Sequence, residues 1–335
     1  MAELTVAAGL ARGLLEFAVS KGASAAELAV RSGIDPKDLA DQDTRIPFAK
    51  YVALMRAGKT LSGDPALALH YGETNDLANI SVVGLIGNAS ETMPEALAQL
   101  NRYGRLVVEF DGGPDRFKVA PTRGGIWLID TRQNPDDFFE LTESTFARMI
   151  CGPRQFGVTN LAKAVHVTHT PPAYAAEYER VYRAPVTFGS DWNAIQLDEA
   201  GMNHRIQLQP RYAFGILSEH ADALLKNLES SKTTRGRVES LLMPVLHTGT
   251  ASMELIAGKM AVSRQTLFRR LKEEGVTFEK VLDDLRRRLA LDYLSGKKVS
   301  VNQTAYLVGF SDPAAFSRAF KRWTGTSPRA SRQAG

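Results

Sequence analysis

The chain has 335 residues, 44% of them hydrophobic and 23% charged, enough for two domains that each bury a core. Its net charge of +4 is unevenly spread: residues 236–335 hold 17 Lys and Arg against 9 Asp and Glu, which leaves the first 235 residues at −4. The single cysteine, Cys151, excludes an internal disulfide and a cysteine metal cluster, and no apolar run nears the ~20 residues of a membrane-spanning helix. A cytoplasmic protein with no membrane partner is expected, its basic final third serving as a module for a polyanion.

The N-terminal stretch "MAELTVAAGLARGLLEFAVSKG" sets Glu3, Arg12 and Glu16 inside its apolar pattern, so an amphipathic helix over 3–20 is expected rather than a signal peptide. Apolar residues at three and four spacing predict further helices at 24–31, 47–61, 64–71 and 94–103. The period then changes. "RLVVEF" (105–110), "RFKVA" (116–120) and "GIWLID" (125–130) read as strands, with "DGGPD" and "PTRGG" as hairpin turns. A helix over 136–151 and strands near 163–168 and 193–197 complete an α+β domain over residues 1–229. The polar "SSKTTRG", 230–236, reads as the linker to a second domain at 237–335.

Catalytic signals in the first domain are thin. His166 and His169 are three apart in a predicted strand and so face opposite sides, which disfavours a shared metal. Cys151, at a helix end before Gly152-Pro153, is either a buried structural thiol or an activated one; the second would make the chain an enzyme tethered to the polyanion that the basic module binds. No phosphate loop, nucleophile elbow or metal-binding histidine motif occurs, so no enzyme activity, cofactor or metal is expected. Phe110, Trp127, Phe138 and Phe139 are candidates for core packing or for the lining of a pocket.

The second domain contains a repeat. "IAGKMAVSRQTLFRRLKEEG" (256–275) and "TAYLVGFSDPAAFSRAFKRWTG" (304–325) each read as a short helix, a tight turn and a basic helix. Ala257 and Ala305 are small where the first helix approaches the second, and Ser263 and Ser311 end the turns as candidate caps. Gly309 suits a turn position with positive φ. Leu267 and Leu271 face inward in the first copy; Val308, Phe310, Phe316, Phe320 and Trp323 do so in the second. That geometry leaves Arg264, Gln265, Phe268, Arg269 and Lys272, and then Ala314, Ser317, Arg318 and Lys321, on outer or flanking faces.

No acidic residue occurs over 263–272 or 313–325, whereas a merely solvated face mixes both signs. Between the copies, residues 277–297 predict one amphipathic helix of roughly 19 residues, about 28 Å long. A rod of that order can set two helices into successive major grooves of one duplex, about 34 Å apart. A membrane surface would impose no such repeat, so double-stranded DNA is the expected polyanion. Arg286, Arg287 and Arg288 on that rod either meet DNA or pair with Asp283, Asp284 and Asp292.

Residues 236–335 resemble the DNA-binding domain of AraC/XylS-family transcription regulators. The resemblance rests on "ELIAGKMAVSRQTLFRRLKEEG", "RRRLALDYLS" and above all "VGFSDPAAFSRAFKRWTGTSPRASR". It implies an all-α domain with two helix-turn-helix units joined by a linker helix, each unit entering the major groove. It makes Gln265, Phe268 and Arg269 the base-edge candidates of the first unit, with Ala314, Ser317 and Arg318 as their counterparts. Arginine can bond guanine and glutamine can bond adenine in bidentate fashion, while Arg264, Lys272, Lys321 and Arg322 are expected at phosphates. The second recognition helix opens Asp312-Pro313-Ala314-Ala315, short of long polar side chains, which leaves it either base reading or phosphate grip with thymine-methyl contact.

Upstream, "SGDPALALHYGE" (62–73) and "GLIGNASETMPEALAQLNRYGRLVV" (84–108) are similar to the arabinose-binding-type N-terminal domain of one AraC branch. That resemblance implies effector sensing and dimerisation rather than sugar binding. The expected protein is a sequence-specific transcription regulator, an activator controlled by a small-molecule effector. Its partners are promoter DNA, a second copy of the chain and RNA polymerase. A ligand-independent DNA-binding dimer is the alternative.

Overall fold

The computed structural model describes residues 3–74, 76–112, 115–122, 124–206, 211–295 and 299–334. The chain divides into two compact units, Met1–Leu225 and Lys226–Gly335.

The first unit opens on strand β1 (Thr5–Ala7) and helices α1 (Ala8–Ser20) and α2 (Ala25–Ser32). Strand β2 (Arg45–Pro47) pairs antiparallel with β1, Val6 opposite Ile46. Residues 5–7, read as helical from the sequence, are therefore extended. The Glu109 carboxylate accepts from the Thr5 backbone N–H at 3.1 Å and from its hydroxyl at 2.6 Å, which fixes the strand away from the helix. Helices α3 (Phe48–Ser62), α4 (Leu67–Thr74), α5 (Val82–Asn88) and α6 (Met93–Val107) follow.

Helix α6 runs through residues 105–107, where the sequence reading placed the start of a strand. Tyr103, Leu106 and Val107 are all buried. Their three and four spacing serves a helix as well as the β-branched run suits a strand, and the Thr92 cap on Glu95 N–H commits the segment to the helix.

Strands β3 (Phe117–Thr122) and β4 (Gly125–Asp130) form an antiparallel hairpin. Of the two expected hairpin turns, Gly113 and Pro114 in the first and Arg123 in the second lie outside the described residues. After a 3-10 turn at Pro135–Phe138 come α7 (Glu140–Cys151), β5 (Ala162–His166), α8 (Ala175–Tyr182), β6 (Val186–Thr187), β7 (Asn193–Leu197) and α9 (Glu199–Met202). The larger sheet has the order β3-β4-β7-β5-β6, antiparallel except for the β5–β6 pair. Its inner face packs Leu128, Val165 and Ile195 against Phe146 and Ile150 of α7. Helix α4 crosses α7 closely at Gly72, where a Cβ would lie 2.3 Å from the Ser144 carbonyl oxygen.

Helix α10 (Arg211–Ser231) spans the boundary between the units, and α11 (Thr234–Leu242) begins three residues after it ends. The segment 230–236, expected as a linker, thus holds the end of one helix and the first turn of the next. The Thr233 hydroxyl caps that turn by accepting from Gly236 N–H at 2.9 Å.

The second unit is helical throughout its secondary structure among the described residues. It continues with α12 (Met253–Lys259), α13 (Arg264–Glu273), α14 (Phe278–Ser295), α15 (Val301–Leu307), α16 (Pro313–Thr324) and α17 (Pro328–Ala334). One core joins Ile256, Leu267 and Leu271 to Leu285, Phe316 and Phe320. Ala257 and Ala305 are buried where each short helix meets its longer partner. No helix among the described residues is long and apolar enough to cross a membrane.

Candidate nucleic-acid interface and internal cavity

Each repeat is a helix, a tight turn and a second helix: α12 with α13, and α15 with α16. The two turns share a left-handed residue, Ala261 at φ 53° in the first and Gly309 at φ 82° in the second. Ser263 caps α13 as expected, its hydroxyl accepting from Thr266 N–H at 3.1 Å. Ser311 does not cap α16. Asp312 does, accepting from Ala314 N–H at 2.9 Å and Ala315 N–H at 3.0 Å, the second and third helical amides after Pro313 at the first position. Those amide bonds hold the exposed Asp312 carboxyl below the ordinary range. The Asp312 carboxylate thus already engages the Ala314 and Ala315 amides at the N-terminus of α16.

On α13, Leu267 and Leu271 are fully buried while Arg264, Gln265, Phe268, Arg269 and Lys272 are exposed. Phe268 is 53% exposed, an outlay of apolar surface on a polar helix that suits stacking or methyl contact. Arg264 pairs with Glu254 of α12 at 2.7 Å, and Arg269 lies 3.7 Å from Glu273. Both arginines stay about seven-tenths exposed, so these pairs hold them weakly and leave donors outward.

On α16, Phe316 and Phe320 are buried, with Phe310 and Trp323 packed beside them. Ala314, Ser317, Arg318 and Lys321 line one open groove of about 1250 Å³, whose other wall comes from Ser300, Asn302, Arg329 and Arg332. No acidic side chain lines it among the described residues. The sequence reading did not place Ser300, Asn302 or Arg329 here, since they come from the start of α15 and from α17. The Ser317 hydroxyl donates to Pro313 O at 2.9 Å, which leaves its lone pairs outward. Arg322 faces α14 instead: it meets Asp283 at 3.1 Å, the same carboxylate that accepts from Trp323 Nε1.

The linker helix α14 has 18 residues, about 27 Å at 1.5 Å per residue, and its expected final residues 296 and 297 lie outside the described ones. Its arginine triplet divides three ways. Arg286 donates to Val308 O and Gly309 O at 3.1 and 3.3 Å and stacks over Phe310, fastening the second turn to the rod. Arg288 pairs with Glu239 at 2.9 Å. Arg287 is exposed. Around them, Arg235 bridges Glu239 and Asp284 at 3.1 Å, tying α11 to the same rod.

The catalytic alternatives of the first unit find structural roles. Cys151 is buried, its thiol donates weakly to Val181 O at 3.5 Å, and burial pushes it up to about 11, which keeps it inert. His166 lies 3.2 Å from the Ser190 hydroxyl, and His169 bonds Thr170 O at 2.9 Å and stacks on Phe139. The two imidazoles therefore hold separate partners. Phe110, Trp127 and Phe138 are buried in packing.

A cavity of about 170 Å³ lies inside the first unit, between α6, α7 and the β3-β4-β7 face. Met93, Leu97, Leu100, Phe117, Leu128 and Ile195 make most of its wall apolar. Tyr51, Arg116 and Arg148 also line it. None of the aromatics proposed from the sequence does so.

Two helix-turn-helix units on one rod, each presenting a basic second helix, define a DNA-binding regulator with a separate α/β domain upstream. Residues 22–206, more than half of the chain, match the model of the arabinose-binding domain of AraC transcription regulators, and residues 256–334 match a helix-turn-helix domain. The chain belongs to the AraC family of transcription regulators, which is non-enzymatic. It is similar to the ornithine utilization regulator of Pseudomonas aeruginosa, 27% identical over 97% of this chain and 95% of that protein. It is likewise similar to the transcriptional regulator VirS of Mycobacterium tuberculosis, 27% identical over 89% of this chain and 88% of that one. A solved structure, the regulator CdpR from Pseudomonas aeruginosa, aligns over 96% of this chain and 97% of its own at 22% identity and a TM-score of 0.40.

Proposed function

We propose that the chain is an effector-controlled activator of transcription that binds its promoter through both helix-turn-helix units, as a homodimer, in the cytoplasm. The observation carrying the DNA half is the pair of exposed cationic faces that each repeat turns away from one shared core. Gln265, Phe268 and Arg269 would read base edges in one major groove, with Arg264 and Lys272 on the flanking phosphates. Ala314, Ser317 and Arg318 would meet the next groove with Lys321, Arg329 and Arg332 gripping the backbone, a division that gives α13 most of the sequence discrimination. Arg322 is held toward Asp283 through Nη2 but stays about seven-tenths exposed, so its remaining donors would meet phosphate.

The cavity supports the sensing half, since a pocket with an apolar wall and a few polar groups is the usual form of a small-molecule site. The name of the ornithine utilization regulator supports control of metabolic genes and carries no effector across at 27% identity. A ligand switches such a protein only if it binds the DNA-competent state with different affinity.

The test is a footprint of the full chain on the DNA flanking its own gene, at stated salt, with and without metabolite extracts. A discrete protected segment whose occupancy changes with extract supports the proposal. Protection of no discrete segment, or binding equal on all sequences, overturns the DNA half; discrete protection indifferent to every extract overturns the sensing half.

A further inference from the structure

The cavity of the first unit is mostly apolar, yet three of its polar side chains carry buried atoms without a hydrogen-bond partner. Arg148, on α7, has buried Nε and Nη2 donors that meet no acceptor, and its guanidinium lies 5.2 Å from the centre of the Tyr71 ring. Arg116, just before β3, has a side chain 9% exposed and a buried, unpartnered Nε. Tyr51, from α3, has a hydroxyl wholly buried and without a partner. Burial pushes that phenol above its ordinary range while the charges of both Arg148 and Arg116 pull it down, so all three groups share one electrostatic neighbourhood.

Nearby charge does not balance this set. Arg116 Nη2 does bond Asp130 at 3.1 Å and the Thr145 hydroxyl at 3.2 Å. Asp130 is shared, however: Arg132 holds the same oxygen at 2.9 Å, so two buried guanidiniums face one carboxylate. Arg148 adds another cation. The one acidic residue among the described lining residues is Asp76, whose carboxylate is engaged in capping Ala78 N–H at 3.0 Å. Buried donors and charges without partners are costly, and native interiors leave few of them. Five N–H donors on each guanidinium match a carboxylate in bidentate fashion.

We propose that the effector of this regulator is a small organic monocarboxylate, its oxygens held by Arg148, Arg116 and Tyr51 and its apolar body against Leu97, Leu100 and Leu128. The inference rests on the sensing role proposed for the first unit and adds the chemical class of the ligand. The size follows from the volume: an apolar cavity of about 150 Å³ holds benzene, so 170 Å³ takes a body of about six carbons beside the headgroup. A free phosphate would leave the apolar wall dry and unfilled. A cationic ligand would add charge to an existing excess of it.

The test uses the full-length protein, with phenylacetate, 4-methylpentanoate and hexanoate as probes and their primary amides as matched neutral controls. Calorimetry and thermal shift are read beside operator binding. The acids are expected to bind and raise the melting temperature, the amides to bind about 10- to 100-fold more weakly. Arg148→Gln should lose a similar factor for the acids alone, with Arg148→Lys restoring part of it. Leu97→Phe, which fills the apolar end and leaves the cations in place, should weaken the acids and the amides alike. Equal binding of acid and amide, or acid binding unchanged in Arg148→Gln, overturns the carboxylate assignment. If the acids fail while a neutral or cationic metabolite shifts the melting temperature and operator affinity, the sensing role stands and the carboxylate assignment falls. If no small molecule alters either readout while operator binding persists, sensing itself falls and takes this inference with it.

Discussion

Replacing Gly309 by alanine tests how the second helix-turn-helix unit is held together. Gly309 sits at φ 82°, and a Cβ there would lie 2.3 Å from the Leu246 carbonyl oxygen and 3.4 Å from Arg286 Nη2. The left-handed backbone costs a Cβ-bearing residue about 1–2 kcal/mol. Overlap with a fixed backbone oxygen adds about 1–3 kcal/mol. Alanine also restricts the unfolded chain, which returns about 0.4–1 kcal/mol. The expected net loss is about 1–5 kcal/mol, a large part of the ~5–15 kcal/mol that holds a domain of this size.

The first repeat supplies the control. Ala261 already occupies the corresponding left-handed position at φ 53°, so Ala261→Gly removes strain while loosening the unfolded chain, and should change stability by less than about 1 kcal/mol. Urea titration of the full chain measures the totals, and hydrogen exchange read by mass spectrometry locates them. Gly309→Ala should speed exchange across α15 and α16 and shorten the footprint at the end contacted by α16. A Gly309→Ala protein within about 0.5 kcal/mol of the parent, with unchanged exchange in that segment, would refute the role given to this turn.

Arg269→Ala should cost about 1–3 kcal/mol of discrimination at one base position, read by competition among operator variants; uniform weakening on all sequences would reassign Arg269 to phosphate. Asp312→Asn keeps one of the two oxygens that accept from the Ala314 and Ala315 amides and removes a negative charge 3.9 Å from Arg318, so operator affinity should rise several-fold at low salt and converge with the parent at high salt. Glu143 is fully enclosed, and burial raises its carboxyl to about 7 although Tyr174 and Tyr178 donate to it and Lys59 lies near. Its folded value exceeds its unfolded one, so the native state binds the extra proton between about pH 4.5 and 7 and stability falls as pH rises through that window. Glu143→Gln should abolish that slope, with a difference of up to about 3 kcal/mol at pH 8 and little at pH 4.5, measured by urea titration at each pH.

What was legible in the sequence is what depends on local period and local chemistry. Two alanines six residues ahead of two serines, and apolar pairs four apart, place both helix-turn-helix units without any knowledge of their contacts. The same local logic misreads Ser311, because the cap is one residue on, at the aspartate that precedes a proline in the first helical position. It misreads 105–107, though not the extended Val108, because apolar residues there satisfy a strand period and a helix period together, and the decision falls to Thr92, thirteen residues upstream of Arg105. It cannot divide Arg286, Arg287 and Arg288, since adjacent residues on a helix differ by 100° and their partners on α11 and the second turn lie 20 to 50 residues away in sequence.

The cavity was the least legible part, for a related physical reason. Tyr51, Arg116 and Arg148 lie on three segments separated by 32 to 65 residues, with nothing in their spacing to associate them. Taken singly, each resembles many ordinary residues of a mixed domain. What distinguishes them is a deficit: donors enclosed by apolar walls with fewer acceptors than they require. A deficit exists only relative to a complete set of contacts, so it cannot be read from composition or period. Sequence patterns of this kind specify surfaces that a fold presents, such as the basic faces of α13 and α16. Interior groups are set apart by what the fold leaves unpaired, and that is why the exposed faces of α13 and α16 were readable from the sequence while the enclosed donors of the cavity were not.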